Sequence, residues 1–257
     1  MATGRYHTKY KSTLTEHQLE ELTKMPIVQV SDEMRATYED GKVLLIDKPL
    51  HWTSFDAVKK IRNTLKIKKV GHAGTLDPLA TGLLIICTGK YTKKINEYMA
   101  AEKGYTGSFT LGATTATYDK ESIPENIKPV QHLSTNDIIQ AATQFVGSIN
   151  QYPPIYSAIK KNGEALYELA RRGEAVELKA RTITIYTFEI TAIDMPIVSF
   201  RVTCSTGTYI RSLAHDMGAA LGCGAYLSEL RRVSIGDSHV DDALSIEEFL
   251  QQVATQP

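Results

Sequence analysis

Cysteine is scarce in this 257-residue chain: Cys87, Cys204 and Cys223 are far apart and form no CxxC pair. That argues against a disulfide framework or a zinc site and for a reducing cytoplasm. Long apolar runs are missing too, since none approaches the roughly 18 residues of a membrane span. The opening MATGRYHTKYKST lacks the apolar segment of a secretory signal. Net charge is absent: 29 Lys and Arg balance 29 Asp and Glu, so bulk electrostatics call for no polyanionic partner. The common cofactor signatures fail as well. Gly89-Lys90 is followed by Tyr91, which spoils a phosphate-binding G-x-x-x-x-G-K-[ST], and there is no GxGxxG after a strand, no HExxH and no GxSxG. The seven histidines show no metal-ligand spacing. The expectation is chemistry without cofactor or metal.

What is present is a globular composition, 42% hydrophobic and 23% charged, long enough for one large domain or a domain with an appendage. Residues 1–40 are polar and of mixed charge, with a short helical pattern around Leu14–Leu22, and read as a peripheral, mobile extension. Residues 41–257 read as the main domain. Lys42–Asp47 is a buried strand. Thr53 with Asp56 forms a capping box, and Phe55, Val58, Ile61 and Leu65 follow at helical spacing. Further helices are expected at 91–100, after Ser134, at 164–172 with Gly173 closing it, after Thr206-Gly207, and after Ser245. Asn162-Gly163 marks a turn, and Ile155–Ile159 looks extended. Strands are expected at Tyr105–Leu111, 181–193 and 197–204. Strand pairs interrupted by helices argue for an α+β fold with a mixed, largely antiparallel sheet.

The most informative segment is Gly71-His-Ala-Gly-Thr-Leu-Asp-Pro-Leu-Ala-Thr-Gly82, a single carboxylate in a glycine-rich loop that runs into Leu83–Cys87, a buried strand. Pro78 biases Asp77 away from helical backbone. The plainer reading of an Asp-Pro pair is a turn or helix cap. Cations bracket the loop: Lys59, Lys60, Arg62, Lys66, Lys68 and Lys69 precede it, and Lys90, Lys93 and Lys94 follow its strand. Solvated helix faces explain many such lysines, but their position suggests a local phosphate-binding surface on a neutral protein. Tyr105, Tyr209 and Arg211 complete the candidate set. An aromatic face can stack on a base, and a cation beside a buried carboxylate keeps it ionised.

Lys42-Val-Leu-Leu-Ile-Asp-Lys-Pro49, the Gly71–Gly82 block, the Tyr105 strand, Leu111–Asp119, Gly207-Thr-Tyr-Ile-Arg211, Leu221–Ala225 and Leu230-Arg-Arg232 together resemble, in order, the motifs of bacterial TruB-type tRNA pseudouridine synthases. The resemblance implies the pseudouridine synthase fold, with an active-site cleft across a sheet flanked by helices. It implies cofactor-free isomerisation of uridine 55 in the TΨC arm of tRNA by a cytoplasmic, monomeric enzyme. It assigns Asp77 as nucleophile, Tyr105 as the residue stacking on the uracil, and Arg211 as the partner of the nucleophile. It also places substrate contacts at His72, Tyr209, Leu230 and Lys48. Asp77 and Arg211 are accordingly expected within ion-pair distance, with Tyr105 beside them. His51 stands where relatives often carry Gly. Ala116 stands where many have Asp, leaving Asp119 as the acid of that block, with a supporting role. The chain ends soon after the last motif, without room for the C-terminal PUA domain of longer relatives. A non-catalytic RNA-binding or RNA-folding protein is the alternative, disfavoured by the joint presence of Asp77, Tyr105 and Arg211. A phosphate-transferring enzyme lacks its lysine motif and its metal carboxylates.

Overall fold

A computed structural model describes residues 28–157, 160–161, 164–165, 172 and 178–254. In chain order the elements are α1 (Asp32–Asp40), β1 (Val43–Lys48), α2 (Ser54–Leu65), β2 (Val70–Ala73), β3 (Ala80–Thr88), a 3-10 turn at Gly89–Lys94, α3 (Ile95–Ala100) and β4 (Lys103–Leu111). There follow α4 (Thr135–Thr143), β5 (Gly147–Gln151), β6 (Lys160–Lys161), β7 (Glu164–Ala165), β8 (Arg181–Asp194), β9 (Ile197–Cys204), α5 (Ile210–Ala220), β10 (Ala225–Ile235), β11 (Ser238–His239) and α6 (Ile246–Val253). The pattern at Leu14–Leu22, the end of the Ile155–Ile159 segment, the turn at Asn162-Gly163 and most of the helix expected over 164–172 with Gly173 lie outside the described residues. Within that stretch, Glu164–Ala165 pairs antiparallel with Lys160–Lys161 instead of opening a helix. Antiparallel backbone pairing holds those two residues extended. Among the described residues no helix is long and apolar enough to cross a membrane.

The chain packs as two compact units, one reaching to Asn96 and resuming at Asp242, the other Glu97–Asp241. In the first unit β3 pairs antiparallel with β1 from Val43↔Cys87 to Lys48↔Gly82, and with β2 from Val70↔Thr88 to Ala73↔Ile85. Leu83, Leu84, Ile85, Ile86 and Cys87 are all fully buried, so this strand is an unbroken apolar run because neither face meets water. Ile46, Leu84 and Ile86 join Ala57, Val58, Ile61 and Leu65 of α2 and Ile246, Phe249, Leu250 and Val253 of α6 in one core. Helix α2 starts at the expected Thr53–Asp56 capping box. Its buried stripe runs through Ala57 rather than Phe55, which is exposed and carries the Arg62 guanidinium 6.0 Å from its ring centroid. Val28, Val30 and Met34 pack on this core, and Tyr38 meets Phe249 edge-on at 6.2 Å. Ordered packing therefore begins before residue 41, since the mostly polar α1 contributes Tyr38 and Met34 to the core.

The second unit is an antiparallel sheet in the order β10-β4-β9-β8-β5. Phe109 of β4 stacks on Phe200 of β9 at 5.8 Å, and Phe188 meets Phe200 edge-on. Strand β5, β2 and the first residues of β3 were not expected, and β10 was visible only as motif residues. Gly147-Ser-Ile-Asn-Gln151 and Ala80-Thr-Gly82 lack the apolar density that marks a strand, and hydrogen-bonded neighbours make them extended. Helix α5 packs on the start of β10 at Gly218, where a Cβ would lie 2.0 Å from the backbone N of Ala225. Gly218→Ala is expected to destabilise the protein by about 3 kcal/mol, measured as a fall in the urea midpoint with unchanged slope. An unchanged midpoint would show that the helix can lift from the strand without cost.

Candidate active site

Asp77 sits in the connection between β2 and β3, in the first unit. Its carbonyl accepts from Ala80 N–H at 3.1 Å, closing a tight turn over Pro78 and Leu79. The residues on either side of it are held by the segment that follows β1. The Ser54 hydroxyl accepts from Leu76 N–H at 2.8 Å and donates to Leu76 C=O at 3.2 Å. His51 N–H donates to Pro78 C=O at 2.7 Å. His51 adopts φ 68, a left-handed conformation that glycine takes most readily. Burial holds its imidazole below the usual histidine range, with the Lys48 charge adding to the effect. Lys48 itself is 0% exposed, and its ammonium donates to Pro49 C=O at 2.9 Å and to Trp52 C=O at 2.7 Å. Lys48, for which the resemblance implies a substrate contact, is thus bonded to the backbone of the segment that leads to α2. Gly74 and Gly82 have φ 89 and 102, so a backbone requirement accounts for both. His72 is half-buried on β2, opposite Ile86.

Tyr105, Tyr209, Arg211 and Leu230 belong to the second unit. Tyr105 is buried in mid-sheet on β4, with Val202 of β9 and Arg232 of β10 as its register neighbours. Leu230 of β10 faces Gly107. Arg211, in the first turn of α5, and Asp119 are each 6% exposed and lie 3.6 Å apart from Nη1 to Oδ2. Two carbonyls also meet the guanidinium: Nη1 donates to Thr117 C=O and Nη2 to Tyr156 C=O, both at 3.1 Å. Asp119 accepts in turn from the Thr117 hydroxyl at 2.6 Å and from Glu121 N–H at 2.9 Å. A charged pair at this depth is stable only when its remaining donors and acceptors are also met, and this one is ringed by them. The supporting role expected of Asp119 takes the form of a contact with Arg211.

Sequence reasoning missed two groups in this unit. Gln151, 2% exposed, brackets the residue at the helix cap: Tyr209 N–H donates to its Oε1 at 2.8 Å and its Nε2 donates to Tyr209 C=O at 3.1 Å. This replaces the side-chain cap that Tyr209 lacks. One turn into α5, His215 stacks on Tyr118 at 3.9 Å and 14°. Burial lowers the pKa of His215 and raises that of Tyr118, the latter with a contribution from Asp216. Burial pushes the Asp216 carboxyl up to about 6. Nothing in the sequence pattern marked these groups, since a lone Gln before a proline pair and a Tyr before an Asp carry no spacing signal.

Comparison with known proteins bears on what this arrangement does. The TruB family pseudouridylate synthase N-terminal domain matches residues 62–210, and the tRNA pseudouridylate synthase B C-terminal domain matches residues 211–256. A tRNA pseudouridine synthase B of Flavobacterium johnsoniae is 54% identical over 83% of this chain and 98% of its own length. One from Phocaeicola vulgatus is 48% identical over 82% of this chain and 93% of its own. Among solved structures, a chain from a Cbf5-Nop10-Gar1 complex superposes with TM-score 0.65 at 29% identity, over 88% of this chain. This chain spans 59% of that one.

Two outcomes are expected from the second unit's geometry. Asp119→Ala strands a buried guanidinium and should cost about 3–5 kcal/mol in urea unfolding; a loss below about 1 kcal/mol would show the carbonyls alone suffice. Asp216 has its folded pKa above the ordinary carboxylate value, so the folded state holds the extra proton and this group's contribution to stability falls as pH rises from about 4 to about 6. Asp216→Asn should therefore raise the melting temperature relative to the parent more at pH 7 than at pH 4.5. An equal change at both values would contradict the assignment.

Proposed function

The chain belongs to the TruB family of pseudouridylate synthases and isomerises uridine to pseudouridine in tRNA; from that premise we propose that its target is uridine 55 of the TΨC arm and that Asp77 is the nucleophile. The observation that carries the second part is the two-sided grip on the Asp77 loop, through Leu76 and Pro78. A carboxylate so fixed needs little reorganisation to attack.

A uridine in a folded RNA loop must leave its stack before a carboxylate can reach its glycosidic region. The Asp77 carboxylate then attacks the nucleoside, and the bond from the sugar C1′ to N1 of the uracil breaks. The base turns so that its C5 faces C1′, a C1′–C5 bond forms, the bond to the Asp77 carboxylate breaks and frees it, the C5 proton is lost and N1 gains one. Substrate and product are isomers, so no oxidant, reductant or co-reactant enters. Tyr105 is assigned the face of the uracil and help with removal of the C5 proton, and Arg211 the pairing that keeps the nucleophile ionised. His72, Tyr209 and Leu230 contact the substrate nucleotides, His72 by filling the gap left by the extruded base. Lys48 contributes through the loop it organises.

The partner is the T-arm stem-loop of tRNA, held by cations flanking the glycine-rich loop, of which Lys59, Lys66, Lys68 and Lys69 are exposed. The enzyme acts as a cytoplasmic monomer, and three free, buried cysteines fit a reducing compartment. A separate RNA-folding activity can coexist with catalysis and would survive loss of the nucleophile. Asp77→Asn should bind a T-arm stem-loop within about threefold of the parent, by the fold-change rule that removing a group acting only in the transition state spares binding. It should form no pseudouridine when the product is mapped base by base. Normal product formation by this variant, or modification by the parent at a uridine other than 55, would sink the assignment.

A further inference from the structure

The grip on the Asp77 loop depends on one side chain that no motif assignment uses. Ser54 is the first residue of α2 and is 2% exposed. Its hydroxyl makes both of its bonds to a single residue, accepting from the N–H and donating to the C=O of Leu76. That carbonyl belongs to the peptide that leads directly into Asp77. On the far side, Pro78 C=O accepts from His51 N–H. The two contacts tie the backbone on each side of Asp77 to residues 51–54.

The gripping segment is itself rigid for independent reasons. The buried Lys48 ammonium draws together the carbonyls of Pro49 and Trp52. The Thr53 hydroxyl accepts from Asp56 N–H at 3.0 Å, and Thr53 N–H donates to the Asp56 carboxylate at 2.9 Å. Ser54 therefore transmits the position of α2 and β1 to the peptide before the nucleophile. Both bonds need a hydroxyl, which can donate and accept at one atom. An alanine leaves the Leu76 N–H and C=O buried without this partner, and the local backbone must shift to find others.

We propose that Ser54 is a positioning residue for the reaction, fixing the Leu76–Asp77 peptide so that the carboxylate meets the extruded nucleotide in attacking geometry. The inference rests on Asp77 being the nucleophile. Ser54 touches no substrate, so its loss acts on the rate of the chemical step and not on RNA affinity. Misplacement of a reacting group by about 1 Å costs on the order of 10²-fold in rate.

The test is single-turnover pseudouridine formation in a T-arm stem-loop under enzyme excess, with RNA affinity measured in parallel. The proteins are the parent, Ser54→Ala, Ser245→Ala and Asp77→Asn. Ser245 caps α6, which packs in the same core as α2, so its alanine variant reports the cost of general destabilisation. Ser54→Ala should lower the single-turnover rate constant by roughly 10- to 100-fold with affinity within about twofold, while Ser245→Ala stays near the parent. If Ser54→Ala does not fold, Ser54→Cys, of similar shape but with a weak donor and acceptor, takes its place with the same expectation. A rate within about threefold of the parent, a loss matched by Ser245→Ala, or a loss accounted for by weaker RNA binding overturns the proposal. Product formation by Asp77→Asn would instead overturn the assignment of the nucleophile.

Discussion

Lys48 carries its ammonium into the interior at the end of β1, where an unpaired cation would cost several kcal/mol. The chain meets that demand by turning the carbonyls of Pro49 and Trp52 onto it. The consequence reaches further than one charge. With residues 49–52 bent around the ammonium, His51 is held with φ 68 and its N–H reaches Pro78, while α2 starts where Ser54 can reach Leu76. The conformation around Asp77 thus follows from the need to satisfy a buried cation six residues before the start of α2. A sheet ladder alone would not give it, because Asp77 lies between β2 and β3 and belongs to neither.

The second unit solves a comparable problem with a different residue. Arg211 enters the interior at the start of α5, where Asp119 and the carbonyls of Thr117 and Tyr156 meet its guanidinium. Gln151 holds the cap residue Tyr209 by imitating a backbone partner. In both units a backbone segment that carries a residue assigned to chemistry is held by a side chain–backbone bond, Leu76 by Ser54 and Tyr209 by Gln151. Such bonds are directional, and loss of one buried partner leaves the other unsatisfied. This gives a physical reason for the blocks of motif residues: positions far apart in sequence answer to one another through a few exacting contacts.

The elements legible in the sequence were those set by local chemistry. The capping box at Thr53–Asp56 forms as read, and helices start after Ser134 and Ser245 as expected, each with a capping box of its own. The apolar run after Gly82 is the buried strand it was taken to be, and β8 and β9 lie close to the expected bounds. What escaped depended on distant partners. Strand β5 is extended because β8 pairs with it, not because Gly147–Gln151 favours extension. Phe55 keeps helical spacing yet faces outward, since Ala57 occupies the core side. Ser54 was hidden inside a cap signature, although its bonds go to a residue 22 positions away. Site chemistry was legible as residue types and motif order; its support was not, because a side chain that braces a backbone needs no particular neighbours in sequence.

The family places uridine isomerisation in this protein's hands, and Asp77 is the carboxylate we propose for it. The most direct measurement is to quench a single turnover with acid, digest the protein and locate any nucleotide adduct by mass spectrometry. The expected result is an adduct on the peptide carrying Asp77, which rises and decays as pseudouridine accumulates. An adduct on any other residue following the same time course would contradict it.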